Sequence, residues 1–314
     1  VALEGVGTVL VIQRDFEAAQ SAYREALDIS RALVATEPNN IQWTGALSAS
    51  LMSLGNVLMA QDRFADALLA YREADKIHRR LAADDLDNAG WRRRLSLSLA
   101  AIGRALKAQG DLSGSLVSTR EALALVKALS DKDPENRMWR SELSVVLGDM
   151  GDLLVAQGRL DAAIASFREN ASMLRALMAS EPNREGWRGS LRSTLVRLAS
   201  ALRTKGDFNG AIAAHREDVQ IIRVSVLQDP HNTEARTNLS TALNILGNVL
   251  FARGDFKEAL ASYRESLDVI RSLTAEDPSN IQWQLDTIIT LLGLAAGGDD
   301  HSGRVTEALA IFGR

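Results

Sequence analysis

The sequence predicts an all-α protein built as a stack of antiparallel helical hairpins. Pro38, Pro134, Pro182, Pro230 and Pro278, all five prolines of the chain, fall on a 48-residue grid whose one vacancy is Leu86. Trp43, Trp91, Trp139, Trp187 and Trp283, all five tryptophans, share that grid, with Ala235 in the remaining place. A strict period of this length marks stacked repeats, each burying its apolar face against its neighbours.

Within one period the apolar positions follow helical spacing twice. Ile41, Leu47, Leu51, Leu54 and Leu58 form one stripe, and Phe64, Ala67, Leu68, Tyr71, Ala74, Ile77 and Leu81 form a second. Each stripe predicts a helix of about 20 residues. Gly110, Gly158, Gly206 and Gly254 share the column between them, where a left-handed residue ends the first helix. Asp111, Asp207 and Asp255 follow as N-caps of the second helix, and Glu258 completes a capping box with Asp255. Asn40, Asn88, Asn136, Asn232 and Asn280 cap the first helices, with Asn183 displaced by one residue. Short connections force antiparallel neighbours. Residues 1–314 therefore read as one array of seven hairpins: 1–37 (partial), 38–85, 86–133, 134–181, 182–229, 230–277 and 278–314 (partial). A chain starting inside a repeat is expected to be a piece of a larger protein.

Composition narrows the function. A net charge of −4 disfavours a nucleic-acid binder, which needs a basic face to neutralise phosphates. The chain has no cysteine, which removes disulfides, thiol catalysis and thiolate metal sites and fits a reducing, cytoplasmic location. No apolar run reaches the roughly 20 residues that span a bilayer. His78, His215, His231 and His301 lack metal-ligand spacing. No phosphate-binding loop or nucleophile motif occurs, and no acid, base and nucleophile can be assembled, so the protein is expected to be non-catalytic, without cofactor or metal. His215 replaces an aromatic residue of its column and reads as a packed structural histidine. Gly297 to Gly303 reads as a lengthened last turn, and Arg92-Arg93-Arg94 as a solvated face.

The column pattern resembles that of tetratricopeptide repeats. Leu51, Leu54, Gly55, Leu58, Phe64, Ala67, Tyr71 and Ala74 occupy the family's signature slots in the second unit. Leu99, Ile102, Gly103, Leu106, Gly110, Leu112, Ser115, Thr119 and Ala122 occupy them in the third. The usual unit has about 34 residues, so this one adds two helical turns, or roughly 10 Å, to each helix. Long-helix arrays of this kind resemble the interaction arms of large bacterial signalling and defence proteins and, more distantly, kinesin light chain. The resemblance implies a right-handed α-solenoid whose first helices line a concave wall, and a scaffold or sensor arm that binds a protein or peptide.

Columns common to all copies serve stacking. Among these are Leu58 and its equivalents, Gly7, Gly55, Gly103, Gly151 and Gly247 with Ala199, and the tryptophans, which are expected to fill the clefts between units. Arg-Glu recurs at Arg24, Arg72, Arg120, Arg168, Arg216 and Arg264, followed seven residues on by Arg31, Arg79, Lys127, Arg175, Arg223 and Arg271. That regularity reads as an inter-repeat ion-pair row. A unique partner can be read only by columns that differ between copies. By the resemblance, the groove is lined by Met52, Asn56, Met59, Arg104, Lys107, Asp152, Val155, Arg197, Ser200, Arg203, Asn244, Asn248 and Phe251. Two other readings are self-assembly through apolar surface at the terminal repeats (Val9, Val11, Ile288, Leu292) and, disfavoured by charge, an RNA-binding solenoid.

Overall fold

A computed structural model describes residues 2–181 and 185–312. Asn183 and Pro182 lie outside the described residues. The chain divides into two compact units, residues 1–159 and 160–314. The first contains α1 (Ala2–Ile12), α2 (Phe16–Thr36), α3 (Ile41–Ala60), α4 (Phe64–Asp84), α5 (Ala89–Ala108), α6 (Leu112–Lys132) and α7 (Arg137–Ala156). The second contains α8 (Leu160–Ser180), α9 (Glu185–Lys205), α10 (Phe208–Gln228), α11 (Thr233–Arg253), α12 (Phe256–Glu276), α13 (Ile281–Ala296) and α14 (His301–Phe312). Among the described residues there is no strand. Within each unit every helix packs on the next, and first helices of successive hairpins also touch, as α1 with α3, α5 with α7 and α11 with α13.

The helix ends form where the sequence places them. Asn40, Asn88, Asn136, Asn232 and Asn280 each accept backbone N–H bonds at the start of a first helix, Asn40 Oδ1 from Gln42 and Trp43 at 3.0 and 3.3 Å. A carboxylate three residues earlier steadies three of these caps, as in Asn88 Nδ2 to Asp85 Oδ2 at 3.1 Å. At the intra-hairpin turn, Gly110, Gly158, Gly206 and Gly254 take φ of 72° to 95°. In the equivalent places Arg14 and Asp62 adopt φ of 61° and 59°, so hydrogen bonding in the turn enforces the left-handed residue even without glycine. Asp111 and Asp207 cap the second helices through Gly114 and Gly210 N–H, both at 2.8 Å. The expected capping box at Asp255 does not form. Its carboxylate is taken by Arg253 and makes no cap bond, while Glu258 pairs with Arg216 of the preceding hairpin. Charge-assisted bonds to arginine outcompete the neutral backbone donor.

The small column has a specific cause. A Cβ on Gly247 would stand 2.6 Å from Tyr263 Cε1, and one on Gly7 would stand 2.6 Å from Tyr23 Cε1. A tyrosine ring of the second helix closes on Gly7, Gly55 and Gly247, and Thr119 takes that place against Gly103. The fifth copy departs at both positions together, with Ala199 where the others have glycine and His215 in the ring position, and both are buried. Gly247→Ala is therefore expected to lower stability by about 1–3 kcal/mol through overpacking. Adding Tyr263→His should recover part of that loss in a urea-denaturation cycle; a purely additive pair would contradict this account.

The second helices carry the ion-pair row. Arg31 pairs with Glu73, Arg79 with Glu121, Arg175 with Glu217 and Arg223 with Glu265, at 2.6 to 2.8 Å, and Arg271 pairs with Glu307. In the first four, each cation meets the glutamate of the next Arg-Glu dipeptide, fixing register. Side-chain exposures of 33–49% make each pair worth little in stability.

Candidate functional site

The variable first-helix residues do not behave alike. In the first unit most are engaged by their own fold. Asn56 Oδ1 accepts the Tyr71 hydroxyl at 2.8 Å, Arg104 Nη1 meets Asp149 Oδ2 at 2.8 Å, and Met52 and Met59 pack against the hydrophobic core. Lys107 and Asp152 are half-buried and Val155 is 39% exposed. Burial pushes the Tyr71 hydroxyl up to about 12 against the opposing charge of Arg104, so it stays a neutral donor to Asn56.

In the second unit three of the candidates converge. Ser200 and Arg203 of α9 and Asn248 of α11 line a groove of about 370 Å³, floored by His215 of α10 and flanked by Val196 and Ile245. Arg203 is exposed at its rim. His215 is 5% exposed, and burial, with Arg203 adding to it, lowers its pKa so that the ring is neutral at physiological pH. Asn248 accepts the Tyr263 hydroxyl at 2.7 Å and donates to Asn244 Oδ1 at 3.3 Å, which fixes its carboxamide. The groove thus offers one cation, a held amide, a hydroxyl and an apolar wall. The remaining candidates are set aside by packing: Asn244 donates to Thr290 at 2.8 Å, Phe251 stacks edge-on with Phe256 at 5.0 Å, and Arg197 donates to Ser193 at 3.0 Å. The groove is also lined by Val196 and Ile245, and by His215, whose column position alone marks it as structural. Their signal was weak, because apolar residues on a helix face read as core.

The arginine run is only partly solvated. Arg93 pairs with Glu142 at 2.6 Å, and Arg94 lies over the Trp91 ring at 5.2 Å.

An acid, a base and a hydroxyl do meet, against expectation, in the first unit. Ser98 Oγ lies 3.2 Å from both Asp75 Oδ1 and His78 Nδ1, and 3.0 Å from the Leu95 carbonyl. The order is wrong for nucleophilic catalysis, because the carboxylate holds the hydroxyl and not the far side of the imidazole. Ser98 is fully buried, and His78, 2% exposed, has its pKa lowered to about 4 by burial and secondarily by Arg94. The trio is a buried polar junction between α4 and α5. Asp75 and His78 are neighbours on one helix, but the serine joins them only through packing.

Among the described residues no cluster of three potential ligands could hold a metal, and no helix is long and apolar enough to cross a membrane.

The fold is that of an α-solenoid of helical hairpins whose variable residues lie on the first helices. Residues 47–85 and 239–277 match the tetratricopeptide repeat family model, and the two matches lie four periods apart in one register. Two stretches of the array thus match the tetratricopeptide repeat, and the remaining hairpins share their 48-residue register. No curated protein matches. Among solved structures, the chain is similar to BtubC (BKLC) from P. vanneervenii, with a TM-score of 0.61 at 17% identity over 82% of this chain and 92% of that one. It is also similar to a putative kinesin light chain of nearly identical TPR-like repeats from Podosopora anserina, with a TM-score of 0.55 at 14% identity over 74% and 97%. Aspartyl phosphate phosphatase F from Bacillus subtilis gives 0.57 at 13% identity, over 88% of this chain and 63% of that one. These likenesses concern fold.

Proposed function

We propose that this chain is a non-catalytic scaffold that binds a protein or peptide on its first-helix face, with the groove between α9 and α11 as the principal contact. The convergence of Ser200, Arg203 and Asn248 carries the reading. These positions lie in columns that differ between copies, yet they surround one concavity with a single exposed cation. Arg203 can meet a carboxylate, the Asn248 amide can meet a peptide group, and Val196 with Ile245 can cover an apolar side chain.

The test compares partners captured by proximity labelling with the wild-type chain and with Arg203→Glu, helical content and thermal midpoint being matched. Loss of a common set of partners in the variant is expected. An unchanged set would sink the assignment of this groove.

A second reading, self-association through the terminal hairpins, is favoured by exposed apolar residues there. Val6, Val9 and Ile12 of α1 are 51%, 52% and 77% exposed, as are Ile289 and Leu292 of α13 at 53% and 48%; Val11 and Ile288 are half-buried. Light scattering on the same samples separates the two, since a strict monomer removes self-association.

A further inference from the structure

The tryptophan column supplies its own template for an empty site. In the α3–α5 pair the Trp91 ring lies over Gly45: a Cβ there would sit 3.4 Å from Trp91 Cη2. Gly189 and Ala235 hold the same two places in the α9–α11 pair. The glycine platform is retained and the ring that would cover it is missing. A cavity of about 200 Å³ occupies the position, lined by Gly189, Arg192, Ile222, Ser225, Ala235 and Asn238. A Cβ on Gly189 would meet nothing within 4 Å, so the space is open where its counterpart is closed.

The walls are prepared for a flat aromatic ring. The apolar part of the lining is Gly189, which is exposed, and Ala235, with Ile222, 1% exposed, closing the base. Arg192 is held against the lining by its bond to Asp218 at 2.9 Å, and Arg188 at the mouth by its bond to Gln228 at 2.7 Å. Guanidinium groups fixed in this way favour the face of an indole, as Arg94 does over Trp91 in the filled copy. By volume there is room for one aromatic ring, since roughly 150 Å³ holds a benzene in an enclosed apolar cavity of another protein; here Arg188, Asn232 and Glu234 make part of the lining polar.

We propose that the Ala235 vacancy is a docking pocket for an aromatic side chain, tryptophan foremost, presented by a bound polypeptide. The partner then completes in trans the column that this chain fills in cis at five other places. The proposal rests on the reading of the chain as a protein-binding scaffold, but the pocket is separate from the Arg203 groove.

The probe is N-acetyl-tryptophanamide, titrated into the full chain and followed by amide chemical shifts. Saturable shifts at Gly189, Ala235 and Asn238 are expected in the wild type. Ala235→Trp should fill the cavity, raise the thermal midpoint and weaken binding at least about tenfold. Gly189→Leu blocks the pocket from the opposite wall and keeps the test valid if Ala235→Trp fails to fold. Arg203→Glu should leave binding of the probe unchanged, so failure of the groove assignment and failure of the pocket give different results. Absence of saturable shifts in the wild type, or blocking variants that bind the probe as tightly as the wild type, would overturn the proposal.

Discussion

Trp187→Ala is expected to destabilise the unit of residues 160–314 by about 3–5 kcal/mol, the cost of removing a large, fully packed ring. Trp187 is 3% exposed, whereas Trp43, Trp91, Trp139 and Trp283 are only partly buried. Alanine at those four should therefore cost less, and Trp187→Phe should restore much of the loss. Urea titrations followed by circular dichroism report the effect without depending on the fluorescence of the ring removed. Equal and small effects at Trp187 and Trp283 would show that burial does not rank the column. The chain tolerates Ala235 in this column, where the price is the open cavity beside Gly189 and not a collapse of the neighbouring helices.

Arg192→Ala is expected to cost about 3 kcal/mol near neutral pH, because it strands a carboxylate in the interior. Asp218 is 3% exposed and Arg192 Nε lies 2.9 Å from its Oδ1. Burial raises the pKa of Asp218, and the Arg192 guanidinium pulls it back down. Without the cation the folded-state value rises further above the unfolded one. The folded variant then holds a proton that the unfolded chain releases, so its stability falls as pH rises through the interval between the two values. The deficit against the wild type should be largest at pH 7–8 and shrink toward about pH 4. Asp218→Asn combined with Arg192→Ala should flatten this dependence in a double-mutant cycle. A deficit independent of pH would mean that lost packing of the arginine stem, and not the stranded charge, is responsible.

That pair also shows what could be read in advance. Ser48, Ser96, Ser144 and Ser240 fill the column of Arg192. Ser96 Oγ donates to the Ala122 carbonyl, and Ser240 Oγ lies 2.9 Å from Ser266 Oγ, at the same 26-residue separation as Arg192 and Asp218. The fifth copy replaces a serine contact by an ion pair at both positions together, a departure visible in the repeat grid itself. Likewise Ala199 and His215 depart jointly from the glycine–tyrosine pair. Other features gave no such notice. Asn56 and Asn248 occupy one column and both accept a tyrosine hydroxyl, but Asn248 also borders the groove with Ser200 and Arg203. The capping box at Asp255 looked complete in sequence, and Arg253 and Arg216 dissolved it.

The sequence by itself determined the 48-residue hairpin, its asparagine caps, its left-handed turn column and the Arg-to-Glu row. Each depends on residues close in the chain or on a spacing that repetition enforces, and helical geometry converts such spacing directly into position. Only the tertiary structure decided which off-grid residues act together. Ser200, Arg203 and Asn248 meet because α9 and α11 both pack on α10, and Ser98 joins Asp75 and His78 because α4 closes on α5. Side chains more than a helix apart converge or miss according to packing distances that no local pattern encodes, and the empty tryptophan site at Ala235 became a cavity for the same reason.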